Sequence, residues 1–243
     1  GKLRFSYPVF DYTRAYFSYV YDVSRISNIE DDAAQSIKDL SGDNRKSSII
    51  PKLIYDSRNN PFNATRGSLY GISGEYAGLG GDVGFGKIEG EVAWYVPLFW
   101  EFTGVFHTKS GVITEVDDKL LPDYEKFYMG GINSLRGFTR DDIAPRDTDG
   151  APIGGDKYVQ VNLELKFPLV PDAGVFGLVF LDAGNIYTDR EDVDITDFRV
   201  SAGPEIRWLS PMGPIRFAYG YILDPKDTDE NIGNWEFSMA SVF

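Results

Sequence analysis

The feature that most constrains this chain is an alternation of apolar and polar side chains that recurs along most of its length. In the stretch YVQVNLELKF, which begins at Tyr158, every odd position is apolar, while Gln, Asn, Glu and Lys occupy the even positions from 160 onward. A period of two is that of a β-strand whose two faces meet different environments, whereas a helix has a period of 3.6. The pattern therefore predicts an all-β fold.

Eleven segments carry this alternation. Most of them are longer than the average globular strand of about 5–6 residues and reach the roughly 9–11 residues that a tilted membrane-spanning strand needs. Short connections nearly alternate with long ones, as in a transmembrane meander with short periplasmic turns. We therefore predict a transmembrane antiparallel up-and-down β-barrel, with strands at residues 3–9, 14–25, 49–57, 67–77, 86–96, 99–112, 157–168, 175–187, 198–209, 214–223 and 234–243. The connection SRNNPFNATRG is longer than a typical periplasmic turn.

A soluble β-sandwich also has alternating strands and is the alternative fold. It would explain neither the strand length nor the Lys, Glu and Arg residues that face one side in strand after strand. Unpaired charges are costly in a packed sandwich core, but they suit the wet interior of a barrel. The membrane barrel is therefore the favoured prediction.

Composition excludes several classes of function. The 24 Lys and Arg residues against 37 Asp and Glu residues give a net charge of −13, which disfavours nucleic-acid binding. The chain has no cysteine, so disulfides and thiolate metal sites are excluded. No apolar run of about 18 residues could form a spanning helix, and the initial GKLRFSYPVF does not have the pattern of a signal peptide.

The remaining candidate sites favour no enzyme, metal or cofactor. His107 is the only histidine and has no evident triad partner. GLGGDVGFG does not satisfy the dinucleotide-binding spacing and reads as a hairpin loop. The acidic segments RDTDG and DPKDTDEN lack the spacing of a calcium loop and read as solvated loops. The segment SNIEDDAAQSIKDLSG predicts a short helix, capped by Ser27 or Asn28 and ended by Gly42.

A loop of more than forty residues, predicted over 113–156, carries GGINSLRGF. Its tetrad Leu135, Arg136, Gly137 and Phe138 resembles the signature of the outer-membrane insertase and translocase superfamily. Further segments match in the same order, from about residue 50 to a terminal phenylalanine: YDSRNNPFNATRGS, GLGGD, LELKFPLV, FLDAGNIY and WLSPMGPIRFAYG. Within the superfamily, these segments most resemble the Gram-negative barrel-assembly factors, which belong to the bacterial surface antigen type.

The resemblance implies how the chain is organised. The family barrel has sixteen strands, and its signature loop follows the eleventh. Only six predicted strands precede the loop here, so residues 1–243 would be a single barrel region of about the last eleven strands. The first five strands and the POTRA domains would be absent. An odd strand count agrees with this, because bacterial single-chain barrels have even numbers of strands.

The resemblance also assigns the site. The loop would fold back into the barrel, where Arg136 would pair with Glu164 and Asp182. The alternation of side chains along their strands places both carboxylates on the interior side. An arginine fork suits such carboxylate contacts. In the last strand, Trp235, Phe237, Met239 and Phe243 would face lipid and form one lip of a lateral gate.

The function implied is that of an assembly factor that folds and inserts other barrel proteins into the outer membrane. Its partners would be unfolded outer-membrane barrel proteins, accessory assembly lipoproteins, and outer-membrane lipid or lipopolysaccharide, with edge-to-edge self-association of the fragment as a further expectation. Two alternatives remain open. One is a sister translocase that exports a partner protein, and the other is a passive pore or structural barrel.

Overall fold

The structure is a computed structural model that describes residues 1–26, 42–117, 119–140, 142–148, 150–226, 229 and 231–239. Its eleven strands form one sheet in which each strand pairs antiparallel with its neighbours in sequence. This confirms the predicted all-β, up-and-down arrangement. The strands are β1 (Lys2–Phe10), β2 (Thr13–Ile26), β3 (Gly42–Asp56), β4 (Gly67–Gly81), β5 (Phe85–Pro97), β6 (Thr103–Glu115), β7 (Lys157–Val170), β8 (Val175–Tyr187), β9 (Arg199–Ser210), β10 (Gly213–Ile222) and β11 (Gly233–Met239).

Two of the predicted strand starts were wrong. β3 begins at Gly42 rather than at 49, because the polar residues 42–48 extend the hairpin with β2, where Ile26 pairs with Gly42. β6 begins at Thr103 rather than at 99, because Phe99–Glu101 forms a 3₁₀ turn in which Trp100 has a φ of 50°. The alternation of side chains marks neither boundary, since hydrogen bonding to the neighbouring strand decides both.

Two other predictions fall wholly or partly outside the described residues. The helix predicted across residues 27–41 lies outside the described residues. Its expected end, Gly42, is the first residue of β3. Phe243 also lies outside the described part of the chain. Within that part, no helix is long and apolar enough to cross a membrane.

The two faces of the sheet differ as the alternation predicts. On β8, Val179 and Leu181 are 47% and 40% exposed, whereas Leu178 and Asp182 are 1% and 0% exposed. We call the side that carries the exposed apolar residues the outer face and the opposite side the inner face. The outer face has the apolar character of a lipid-contacting surface, and polar side chains are confined mainly to the inner face.

Residues 116–156, here called the long loop, cover part of the inner face. The apolar side chains of the loop join those of the strands in one buried cluster, so the core of this molecule lies between the sheet and the loop. The cluster contains Ala77, Val83, Phe85, Ile113, Leu121, Phe127, Met129, Leu135, Phe138, Ile143, Ile186 and Ile222.

The sheet has two free edges, at β1 and at β11. Pairing within the described residues runs from β1 to β11 in order and does not join β11 back to β1. The long connections and the long loop lie at one end of the strands. The short turns after β1, β5, β7 and β9 lie at the other end, here called the turn end, together with residues 57–66.

Candidate functional site

The tip of the long loop is a tight turn stabilised by its own backbone. The Gly131 amide donates to the carbonyl oxygens of Leu135 and Phe138 at 3.1 and 2.8 Å, and Gly137 has a φ of 96°. The side chains of Leu135 and Phe138 are fully buried in the core cluster. The tetrad is therefore a folded element, with Arg136 presented between two buried apolar anchors.

Arg136 lies against the inner face and binds both carboxylates that the sequence pointed to. Its Nε and Nη2 donate to Asp182 at 2.8 and 2.7 Å, and its backbone amide donates to the same carboxylate at 3.0 Å. Its Nη1 donates to Glu164 at 2.8 Å. The guanidinium is 2% exposed and stacks on the ring of Phe180 at 3.7 Å.

A third carboxylate, Glu205 on β9, completes the arrangement and was not assigned from the sequence. It accepts from Arg136 Nη1 at 2.7 Å and also from Arg207 and Arg216, each at 2.8 Å at its closest. The alternation of side chains does not show which inner-face residues lie at the same height as the loop tip. Glu205 could therefore be identified as a partner only from the pairing register of the strands.

The charges of this site balance. The three arginines Arg136, Arg207 and Arg216 face the three carboxylates of Glu164, Asp182 and Glu205. Burial alone would lower the pKa of Arg136, but the hydrogen bonds to Asp182 and the three nearby carboxylate charges raise it above its ordinary value. The guanidinium therefore stays charged, and the site is an ionic network.

Gly137 brings the loop backbone against β10. A Cβ atom added to Gly220 would lie 2.3 Å from the Gly137 nitrogen, and one added to Gly137 would lie 2.8 Å from the Gly220 carbonyl oxygen. Only glycines at both positions allow this approach. The pairing partner Gly220 gives no signal in the sequence, because glycine is frequent in several strands.

The loop tip is also bound to the last strand. The Gly137 amide donates to Glu236 Oε1 at 2.6 Å, and Asn234 Nδ2 donates to the Gly137 carbonyl at 2.8 Å. Both side chains belong to β11, so the two polar groups of one loop residue are held by one strand. We call Asn234 and Glu236 the β11 clamp. Sequence reasoning missed it because it considered only the apolar residues of this strand.

The described residues that were expected to form a gate lip lie on the other side of β11. Trp235, Phe237 and Met239 are 65%, 65% and 58% exposed on the outer face, and Trp235 stacks on Phe217 of β10 at 4.9 Å. They do not contribute to the arginine network. Inner and outer residues of β11 thus contact different surroundings, the loop tip on one side and the apolar surface on the other.

The described residues limit what the site can do chemically. They contain no group of three or more His, Asp or Glu side chains arranged to hold a metal ion. His107 is 2.9 Å from Glu91 on the inner face. What the arginine network does offer is a set of charge-assisted hydrogen bonds that fix the loop to β7, β8 and β9, with the clamp adding β11.

Comparisons with known proteins agree on one group. The Omp85 superfamily domain matches residues 1–243. The chain is 36% identical over 246 residues to the outer membrane protein assembly factor BamA of Nitratidesulfovibrio vulgaris, across 99% of this chain and 31% of that protein. It is 32% identical over 198 residues to the human sorting and assembly machinery component 50 homolog, across 77% of this chain and 40% of that protein.

A solved structure shares the fold. The crystal structure of BamA from Haemophilus ducreyi lacking POTRA domains 1–3 superposes with a TM-score of 0.80 at 24% identity, over 99% of this chain and 53% of that one. The chain thus spans less than half the length of the curated relatives described above.

Proposed function

Because the chain belongs to the Omp85 superfamily, we propose that it is the barrel region of an outer-membrane assembly factor that folds and inserts other β-barrel proteins. The observation that carries this proposal is the bound loop tip, in which Arg136 joins three carboxylates of the inner face while Gly137 is held by β11. The named assembly factors among the relatives support it.

The physical task is to insert strands whose backbone groups are unpaired. Such groups find no water in the hydrocarbon region of a membrane, and each unsatisfied group costs several kcal/mol. A strand edge of the assembly factor can pair with the incoming strand and so lower this cost. In this chain the free edge of β11 is that template, and Trp235, Phe237 and Met239 face the lipid beside it.

The long loop fixes the position of the template strand β11. A free strand edge needs a defined position, since a strand bonded on one side only can fray or slip in register. The β11 clamp ties this strand to the loop tip, and Arg136 ties the loop tip to β7, β8 and β9. The network therefore holds β11 in place from the inner side while its edge stays accessible.

The proposal also specifies where the chain acts and which molecules it contacts. The chain works in the outer membrane of a Gram-negative bacterium, in contact with outer-membrane lipid and lipopolysaccharide. Its clients are unfolded outer-membrane barrel proteins, and accessory assembly lipoproteins assist it. It acts by templating and positioning, without covalent chemistry and without a cofactor.

Reconstitution tests the proposal. The complete gene product that carries this chain is placed in liposomes, and the folding of an added outer-membrane barrel substrate is followed by the change in its gel mobility. We expect faster folding than in liposomes without the protein. Folding at the protein-free rate, together with passage of solutes through the barrel, would instead identify a passive pore.

A further inference from the structure

Residues 57–66, here called the strap, connect β3 to β4 at the turn end and form a built loop. Asn59 accepts from the amides of Thr65 and Arg66 at 3.0 and 3.2 Å, and its own amide donates to the Arg66 carbonyl at 3.2 Å. Gly67 closes the strap with a φ of 105°, where a Cβ atom would lie 2.4 Å from the Ser57 carbonyl oxygen. These internal hydrogen bonds hold the strap in one conformation.

The strap reaches across the inner face to a distant strand. Lys166 Nζ on β7 donates to Asn63 Oδ1 and to the Ala64 carbonyl, both at 2.6 Å. β7 is three strands away from β4 in the sheet. Lys166 is 5% exposed and Ala64 is 4% exposed, so the contact itself is dry. A buried ammonium is costly unless it is paired, and the strap supplies oxygen ligands that compensate this cost.

The strap and the long loop meet on the same strand from opposite ends. Lys166 and Glu164 are neighbours on the inner face of β7, because successive residues of a strand alternate between the faces. Glu164 binds Arg136 of the long loop, and Lys166 binds the strap. A polar cavity of about 290 Å³ beside the loop tip is lined by Val105, His107, Lys109, Arg136, Glu164 and Arg207, among others. Its lining reaches Val105 and Glu164, one inner-face position further from the turn end than Lys166.

We infer that the strap is a seal for the turn end of the barrel interior, latched by Lys166, and that it gives this chain a second function as a permeability barrier. The long loop enters the interior from one end, and the strap crosses the inner face at the level of Lys166, on the turn side of the cavity. An assembly factor that must open sideways needs such a seal, because its interior would otherwise connect the two sides of the membrane. The inference rests on the strap geometry and does not require the assembly activity.

A single cysteine can report on the seal, since the chain has none of its own. Val105 lines the cavity, is 7% exposed and pairs with Glu164 on the neighbouring strand. In the complete gene product carrying Val105→Cys, reconstituted in liposomes, a bulky polymer-linked maleimide is added from the turn side and the labelling rate is measured. Lys166→Met, which keeps the length of the side chain but removes its donors, should raise this rate about tenfold or more.

Three further variants sharpen the test. Lys109→Met removes a cation that lines the same cavity without touching the strap, and it should leave the labelling rate near that of the parent. Asn63→Asp keeps an acceptor for Lys166 and should not raise the rate. Asn63→Ala removes that acceptor from a surface loop and should raise it even if Lys166→Met fails to fold. Unchanged labelling in a folded Lys166→Met or Asn63→Ala protein, or equal acceleration by Lys109→Met, would overturn the inference.

Discussion

At the scale of single residues, Arg136 fills a position that no other side chain can fill. Its guanidinium serves three carboxylates on three strands at once, and its planar fork matches their directions. Each of those carboxylates is largely buried, so each would be costly without a cation. The arginine therefore stabilises the inner face as much as the inner face holds the loop.

Replacing Arg136 should release the loop tip. Arg136→Ala leaves Asp182 without its cation and Glu164 with only its 3.7 Å contact to Arg207, and we expect a loss of about 3–5 kcal/mol in the free energy of unfolding. The long loop should then become cleavable by added protease in membranes. Arg136→Lys should recover only part of the loss, because one ammonium cannot reproduce the fork.

Arg140→Ala is the matched control, since Arg140 is an exposed arginine four residues further along the same loop. It should leave both the free energy of unfolding and the resistance to protease near wild type. An Arg136→Ala protein whose loop is as resistant as that of Arg140→Ala would show that the arginine does not anchor the loop.

The sequence predicts part of this site and not the rest, for identifiable reasons. Parity gives the face of a residue, so Glu164 and Asp182 could be placed inside, and the resemblance named their partner. Parity does not give height along the barrel, so Glu205 could not be matched to the loop tip. Gly220 and Glu236 were missed because their role depends on a contact with a single loop residue, Gly137.

At the scale of elements, β11 is held on its inner side by two hydrogen bonds to one loop residue. The predicted strand starts were correct to within one residue except at β3 and β6, where polar hairpin residues or a 3₁₀ turn lie at the boundary, and β4 and β6 extend beyond their predicted ends to Gly81 and Glu115. The pairing of β2 with β3 beyond the alternating residues is the clearest example.

Loss of the β11 clamp should loosen this strand. Glu236→Ala leaves the Gly137 amide without its acceptor, a cost of about 1–3 kcal/mol. Hydrogen exchange of the β11 amides should accelerate roughly tenfold or more. Glu236→Gln keeps an acceptor oxygen and should exchange more slowly than the alanine variant. Ser238→Ala, at the next inner position, serves as the control, and exchange equally fast in it would argue against a specific clamp.

The two faces of β4 offer a test of the membrane assignment with adjacent residues. Ile72 is 57% exposed on the outer face, whereas Ser73 lines a polar cavity of the inner face with Glu89 and Glu91. Ile72→Arg should lower the free energy of unfolding in lipid by about 2–4 kcal/mol, and Ser73→Arg should be much milder. Equal losses in the free energy of unfolding, measured by urea titration of the two variants, would contradict the assignment of outer and inner faces to every strand.

At the scale of the whole molecule, the sheet ends in two unpaired edges. β1 is exposed along its whole length, and β11 is bonded only to β10 within the described residues. Unpaired edges are costly in lipid or detergent, because their backbone groups find no water there. The isolated chain of 243 residues therefore needs a partner for these edges.

Edge pairing should make the isolated chain self-associate. We expect dimers or larger species in detergent, with a mass that rises with protein concentration in analytical ultracentrifugation. Phe237→Lys on the edge strand β11 should reduce the association, because an edge lysine opposes strand pairing. Leu181→Lys, in the middle of the sheet, should not. A monomer at all concentrations would rule out edge pairing.

If the anchored loop tip enables the assembly of other barrels, loss of Arg136 must slow the folding of a substrate in liposomes. The complete gene product is compared as wild type, Arg136→Ala and Arg140→Ala, with rates normalised to the amount of folded protein in the membrane. We expect that Arg136→Ala slows substrate folding by about tenfold or more and that Arg140→Ala does not. Folding at the wild-type rate by an Arg136→Ala protein whose loop is shown to be released would mean that assembly does not require the anchored loop tip.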